Sequence, residues 1–356
     1  MTSMAGEEHP GEVAIRPTPP LSQGQLAELR RIVAGDAEAS ALFAELSMEV
    51  QPWLDATPAP LRVIDYEGLV NTDPRRIASA ARLKEMDGVA AMLHYWQVTQ
   101  SERAAEALRR FVSAWTATYE PTGNDVNESK LVPLLVAYEG LRGSFEPVER
   151  ERIDGWLRQL GELHAKAVSE SGHLTNRYAK RLRLLALFGR IVDRGDWREA
   201  AVTGLKRFVS ESLRPDGTSL DLERRDSLTY HISALRPVIE IAMIAQPDGN
   251  DLYHWVSPTG SSLKKSVDYV VPYADGSKTR EEWHNTTVEL DRQRASAGLE
   301  YYRPGRLFRP SESLALIEEA SAFDPGLVPV ALKLHEKPAR KFASWTMVVN
   351  AACASR

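Results

Sequence analysis

The sequence predicts an all-α fold, and three observations predict it. Apolar residues recur at three- and four-residue spacings over most of the chain up to Ala245. The segments that carry this period run to roughly 14 to 22 residues, the ordinary range of globular helices, and follow one another through short loops. No stretch reads convincingly as a strand. Such a succession of helix pairs builds an α/α toroid or an α-solenoid. The absence of a fixed-period repeat counts against the short-motif solenoids.

In chain order, residues 1–20 are Pro-rich and read as a disordered leader or cloning-derived residues, and residues 21–356 as one domain without a clear internal boundary. Ser22 to Leu54 forms one or two helices, ended by Pro52 and the Pro58-Ala59-Pro60 segment. Asp73 then caps, and Pro74 opens, a long helix. Further helices are predicted over Gln100–Trp115, Glu128–Leu141, Pro147–Val168, Thr175–Val192 and Asp196–Leu213. From Pro247 to Pro310 periodicity fades into Gly, Pro, aromatic and charged residues, the signature of a functional loop region. Helical patterning returns at Ser311–Ala322 and Leu327–Leu334.

Arg214 to Ala245 is the most informative stretch. Arg214-Pro215-Asp216-Gly217 signals a tight turn, because Pro fixes φ and Gly supplies a positive φ. Asp226 or Ser227 can cap a helix whose apolar face is Leu228, Ile232, Leu235, Ile239 and Ala242. Tyr230 and His231 then lie in its first turn, just after Arg224 and Arg225. A phenol, an imidazole and two guanidiniums are thereby gathered at one helix mouth. On residue types alone, a half-buried Tyr, a satisfied His and arginines paired to Asp221, Glu223 and Asp226 are the plainer reading of the stretch.

Composition narrows the function classes. Hydrophobic residues at 43% and charged residues at 26% describe an ordinary globular chain. The formal charge of −5 argues against a general nucleic-acid binder. The lone Cys353 excludes an internal disulfide and a cysteine-rich metal site. The scattered histidines show no HExxH and the carboxylates no calcium-loop pattern, so neither metal nor other cofactor is expected. There is no phosphate-binding glycine loop and no GxSxG elbow. No run approaches the roughly 18 apolar residues of a membrane span, and no signal peptide is visible.

Four strings, DGTSLDLERRDSLTYHISAL from Asp216, PTGNDVNESKLVPL from Pro121, SGHLTNRYAKRLRLLALFG from Ser171 and VPYADGSKTREEWHNTTVELDRQRA from Val271, together resemble the alginate lyase superfamily. That resemblance implies an (α/α) barrel that cleaves uronic-acid polymers by β-elimination. Within the superfamily the chain is most similar to the glucuronan lyases of polysaccharide lyase family 38 and more distantly to the alginate lyases of family 5. In the alginate enzymes His follows the functional Asn directly, whereas here Asn176 is followed by Arg177. The resemblance also implies a periplasmic or secreted location.

The implied chemistry gives each residue a task. Removing the C5 proton of a 4-linked uronate requires the neighbouring carboxylate to be offset by hydrogen-bond donors. Asn176 and Arg225, assisted by His231, are assigned that role, with Arg224 as the alternative arginine. Tyr230 is the candidate base and acid, because C5–H and O4 lie on one side of a β-linked glucuronate or mannuronate ring. A phenol must feel positive charge to act as a base near neutrality. Expected substrate-binding residues are Arg224, Arg177, Lys180 and Asn127, with Tyr273, Lys278, Arg280, Trp283 and Arg292 from the loop region; Arg183, Arg294, Tyr301 and Tyr302 extend the set.

The expected partner is therefore an anionic polysaccharide, polyglucuronate, with no nucleic acid and no membrane. The expected activity is glucuronan lyase. Alternatives are a polymannuronate (alginate) lyase, a hydrolase using Asp221, Glu223 or Asp226, and a non-catalytic uronan-binding toroid.

Overall fold

The computed structural model describes residues 21–70 and 72–354. The leader expected at residues 1–20 lies outside the described residues. Seventeen α-helices are present among those described, and the strand content is one antiparallel pairing of Glu281–Glu282 with Arg306–Leu307. The chain forms two compact units built from non-contiguous segments. The helices Asn176–Ile191 and Gly195–Glu211 each have residues in both.

One unit comprises residues 21–170, 184–200 and 341–354 of those described. Its first two helices, Gln23–Gly35 and Ala37–Leu54, meet at Asp36, whose carboxylate accepts the Glu38 and Ala39 N–H groups. Pro52 does not end the second helix but lies within its last turn, where one missing N–H disrupts little. The long helix expected after Asp73 is two helices, Pro74–Leu83 and Glu85–Thr99. The break buries Glu85, whose carboxylate accepts the Ala59 N–H at 2.8 Å and the Trp115 indole at 2.7 Å. Fully buried Trp115, Phe111, Met92 and Leu93 form part of this core. Gly88 is required there, since a Cβ would sit 2.2 Å from the Trp53 ring.

The Thr122-Gly123-Asn124 turn of this unit is organised by Glu128. Its buried carboxylate accepts the Thr122 and Gly123 N–H groups at 2.7 and 2.9 Å and lies 2.5 Å from His164 Nε2. Burial pushes the Glu128 carboxyl up, but His164 and the Thr122 donors outweigh that and hold it below the ordinary range. Asn124 caps the short helix Asp125–Glu128, its side chain accepting the Val126 and Asn127 N–H groups.

The other unit comprises residues 171–183 and 201–340 of those described. It contains the helices Leu220–Arg225, Leu228–Ala245, Leu263–Ala274, Glu289–Ser296, Leu314–Ala320 and Val328–Leu334. Leu228–Ala245 is buried along most of its length, including Leu235, Val238, Ile239 and Ala242. The region from 247 to 310, expected to be irregular, contains two of these helices. Leu263–Ala274 carries a buried stripe, Leu263, Val267, Val270 and Ala274, at spacings of four and three within an otherwise irregular stretch, whereas Glu289–Ser296 is highly polar and shows no apolar period.

The turn at residues 214–217 forms as the sequence predicts. Gly217 has φ 90°, and a Cβ there would meet the Lys265 carbonyl oxygen at 2.5 Å. Gly217→Ala is therefore expected to destabilise the protein by about 2 kcal/mol, combining backbone strain with a clash. Urea unfolding measures it; a loss below about 0.5 kcal/mol would show that the turn relaxes freely.

Candidate active site

The helix Leu228–Ala245 begins at Ser227, whose side chain makes no capping bond. Neither Asp226 nor Ser227 supplies the cap that the sequence suggested. The cap comes from the buried Glu282 carboxylate, which accepts the Leu228 N–H at 2.6 Å, the Thr229 N–H at 3.3 Å and the Ser227 hydroxyl at 3.1 Å. It thereby satisfies donors that every helix start leaves open, and its charge favours the positive end of the helix dipole. Arg306 donates to the other Glu282 oxygen at 2.9 Å and also pairs with Glu312. Burial and the Glu312 charge push the Glu282 carboxyl up, opposed by the Leu228 and Thr229 N–H groups and by Arg306.

Asp226 instead ends the preceding helix, in the left-handed conformation with φ 50°. Its carboxylate pairs with Arg280 at 2.6 Å and accepts the Asn285 N–H at 3.0 Å. Its carbonyl accepts the Trp283 N–H, and the Arg224 carbonyl accepts the Thr287 N–H. The segment around residues 280–287 is thus stitched to the mouth of the tyrosine-bearing helix. Trp283 also has a left-handed backbone, φ 71°, a strained conformation for a bulky residue that these bonds hold in place.

Tyr230 is half-buried in this frame. The Arg225 guanidinium carbon lies 3.8 Å above its ring, within cation–π range, and Trp283 meets it edge to face at 5.8 Å. Arg225 is held by Asp291 at 2.6 Å. Arg294 interacts with the Tyr230 hydroxyl and donates to the Tyr302 hydroxyl at 3.0 Å.

Asn176, at the start of Asn176–Ile191, is buried, and its backbone N–H donates to Asp221 at 2.7 Å. Burial pushes the Asp221 carboxyl up to about 6, against the opposing influence of that N–H and of Arg225, Arg224 and Lys180. Asn176, Lys180, Asp221, Arg224 and Arg225 therefore belong to one electrostatic neighbourhood. Arg177 is half-buried next in sequence, and Arg224 is exposed.

His231 departs from expectation. It is fully buried, with Nδ1 2.7 Å from the Ser219 hydroxyl and Nε2 3.1 Å from the Ser266 carbonyl. The carbonyl can only accept, so Nε2 carries the proton and Nδ1 accepts from Ser219. Burial lowers the imidazole to about 4, helped by Arg280 and opposed by the Ser266 bond. The ring is neutral near pH 7 and both its nitrogens are engaged, so it packs the helix and offers no charge to a ligand.

Several expected binding residues are occupied elsewhere. The Asn127 amide accepts the Glu67 N–H and donates to the Ile64 carbonyl, so it pins residues 64–67. Trp283 is 2% exposed and offers no stacking face. Arg280 holds Asp226, Arg292 holds Glu289 at 2.6 Å, and Arg183 holds Glu240 at 2.9 Å. Tyr273 packs against Tyr269, while Lys278 is exposed. The carboxylates of the hydrolase alternative are likewise engaged, Glu223 by Arg214 and Asp226 by Arg280. Glu282 and Asp291 were not foreseen, because their partners lie 54 to 66 residues away and no local pattern links them. No group of His, Cys, Asp and Glu suited to a metal ion occurs among the described residues. No described helix is long and apolar enough to cross a membrane.

The alginate lyase family model matches residues 42–280. Among solved structures, the chain is similar to an alginate lyase from Bacteroides ovatus, with TM-score 0.67 and 16% identity over 94% of this chain and 98% of that one. It is also similar to alginate lyase A1-III from Sphingomonas species A1, with TM-score 0.60 and 14% identity over 90% and 92%. A histidine variant of A1-III complexed with a tetrasaccharide gives TM-score 0.59 and 16% identity over 81% and 91%. No curated protein sequence matches the chain. At these identities the structural likeness establishes the fold, and the expected (α/α) toroid class stands.

The two shifted groups make opposite contributions to stability. His231, lowered in the fold, contributes stability that is present above its unfolded value of 6.5 and is lost as pH falls toward 4. Asp221, raised in the fold, contributes stability that is present below 3.8 and is lost as pH rises through 6. Relative to His231→Gln, the wild type should lose roughly 3 kcal/mol between pH 7 and pH 4, and relative to Asp221→Asn it should gain over a similar interval. Thermal unfolding against pH reads both, and parallel curves for wild type and His231→Gln would refute the neutral, buried assignment.

Proposed function

Because the chain belongs to the alginate lyase family, and is by that membership a polysaccharide lyase, we propose that it cleaves β-1,4-linked glucuronan by β-elimination. The observation that carries the mechanism is the half-buried Tyr230 with Arg225 3.8 Å above its ring, at the start of a remotely capped helix. Arg225 and Arg294 hold positive charge against the phenol, the electrostatic preorganisation that proton transfer through it calls for.

In this reading the Tyr230 phenolate takes the C5 proton of the sugar. The electron pair forms the C4–C5 double bond, the C4–O4 bond breaks, and the Tyr230 hydroxyl returns the proton to departing O4. One group serves as base and acid because both positions lie on one ring face. Negative charge that develops on the C5 carboxylate is met by the Asn176 amide and by Arg224. What favours Arg224 over Arg225 for that contact is exposure: Arg225 is held by Asp291 and the Tyr230 ring, whereas Arg224 faces solvent. His231 is given a packing role. Arg177 and Lys180 are proposed to bind flanking carboxylates, with Lys278 as a more distant contact.

Glucuronan is favoured by Arg177 directly after Asn176, where the alginate enzymes that the sequence resembles carry His. A polymannuronate substrate is the second reading, favoured because the similar solved structures are alginate lyases. The two sugars differ only at C2, away from the reacting atoms.

Incubation with glucuronan, polymannuronate and polyguluronate in parallel, followed by the ultraviolet absorbance of the unsaturated product, tests the proposal. Glucuronan alone should give the signal. Tyr230→Phe should lower kcat by at least about 1000-fold with folding and binding retained, and Arg224→Ala should cost about 100-fold. A signal on polymannuronate alone would move the substrate to alginate. Folded wild type with no signal on any polymer, or full activity in Tyr230→Phe, would overturn the mechanism.

A further inference from the structure

We infer that Asp291 is a positioning residue that holds two guanidiniums around Tyr230, Arg225 on the face of the ring and Arg294 at its hydroxyl. The inference rests on the lyase reading for its catalytic consequence and on the geometry alone for its structural one.

Asp291 lies in Glu289–Ser296, a short polar helix of the loop region, yet its side chain is fully buried. One carboxylate oxygen accepts Arg225 at 2.6 Å and lies 4.0 Å from Arg294; the other accepts the Thr286 hydroxyl at 3.3 Å. Arg225 and Arg294 are themselves largely shielded, with 18% and 19% side-chain exposure. Two cations this close repel each other, and removal from water makes the repulsion worse. A shared buried carboxylate between them offsets it. Without Asp291, both guanidiniums gain by turning toward solvent, and each would leave Tyr230.

The groups facing the phenol come from every element around it. Arg225 approaches from the preceding helix, with Asp221 and Arg224 beyond it. Arg294 and Asp291 approach from Glu289–Ser296, and Tyr302 from the following turn. Glu282, with Arg306 behind it, faces the backbone of the same helix turn and is occupied in capping it. Burial works against the Arg294 charge, but the Tyr302 and Tyr230 oxygens and Asp291 outweigh it and raise its basicity. Burial together with Tyr230 pushes the Tyr302 hydroxyl above its ordinary value, keeping it a neutral acceptor for Arg294. Arg294 is thus a fixed cation whose donors converge on two phenol oxygens.

The full-length Asp291→Ala, Asp291→Asn, Arg294→Met and Arg294→Lys variants test the assignment. Crystal structures of the two Asp291 variants should show both Arg225 and Arg294 withdrawn from Tyr230 in at least one of them. Either guanidinium unmoved in both variants would overturn the shared positioning role, whatever the activity. In kinetics, Arg294→Met should lower kcat at least tenfold with KM within about twofold, because the lost charge acts on the proton-transferring group and not on substrate carboxylates. Arg294→Lys should recover part of kcat, which a purely packing role would not produce. A rise in KM with kcat unchanged would instead make Arg294 a substrate contact and overturn its assignment. Wild type inactive on all uronans would remove the lyase reading, while the crystal structures would still decide what Asp291 holds.

Discussion

The Glu282 carboxylate that closes the Leu228–Ala245 helix is the interaction on which the rest of the site depends. A helix start leaves N–H groups without intrahelical partners, and burying them unsatisfied costs on the order of 1 to 3 kcal/mol each. Here the local sequence supplies no side-chain cap, so the donors are met by a residue 54 positions away. A remote cap has a consequence that a local one lacks. The segment that delivers Glu282 must stay docked, and that segment also delivers Trp283 to the edge of Tyr230.

From that constraint follows an arrangement of compensated charges. Arg306 balances Glu282 and Glu312, Arg280 balances Asp226, and Asp291 balances Arg225 and Arg294. Buried ion pairs of this kind add little net stability, since desolvation offsets most of their attraction. Their value lies in fixing geometry, and the geometry they fix is that of a phenol with cations on its face and at its hydroxyl. This is the kind of preorganisation an elimination needs, because the field is in place before the sugar carboxylate acquires further charge.

Much of the fold was legible in the sequence, because helices with an apolar stripe announce themselves through period. The helix Leu228–Ala245 and the order of the long helices are of that kind, and the turn at Gly217 is legible from its Pro and Gly. Legibility failed where long-range partners replace local signals. The helix Glu289–Ser296 has a mostly charged surface and shows no clean stripe, whereas Leu263–Ala274 does carry one, short and flanked by residues without helical period. The Glu85 break and the Glu282 cap depend on partners far along the chain. At the site, Tyr230 and Arg225 were readable because they sit five residues apart across one helix boundary. The burial of His231 and Trp283 was not, since residue type gives no measure of exposure; both looked like ligand contacts and both are packed inside.

Elimination through Tyr230 requires a uronate ring bound with its C5 proton turned toward the phenol. A crystal structure of the Tyr230→Phe variant with a glucuronan tetrasaccharide tests it most directly. One sugar should lie with C5 facing the vacated hydroxyl position, within about 3.5 Å of where that oxygen stood, and with its carboxylate on the Asn176 amide and Arg224. A sugar bound with C5 turned away from residue 230, or an oligosaccharide seated on other elements, would contradict it.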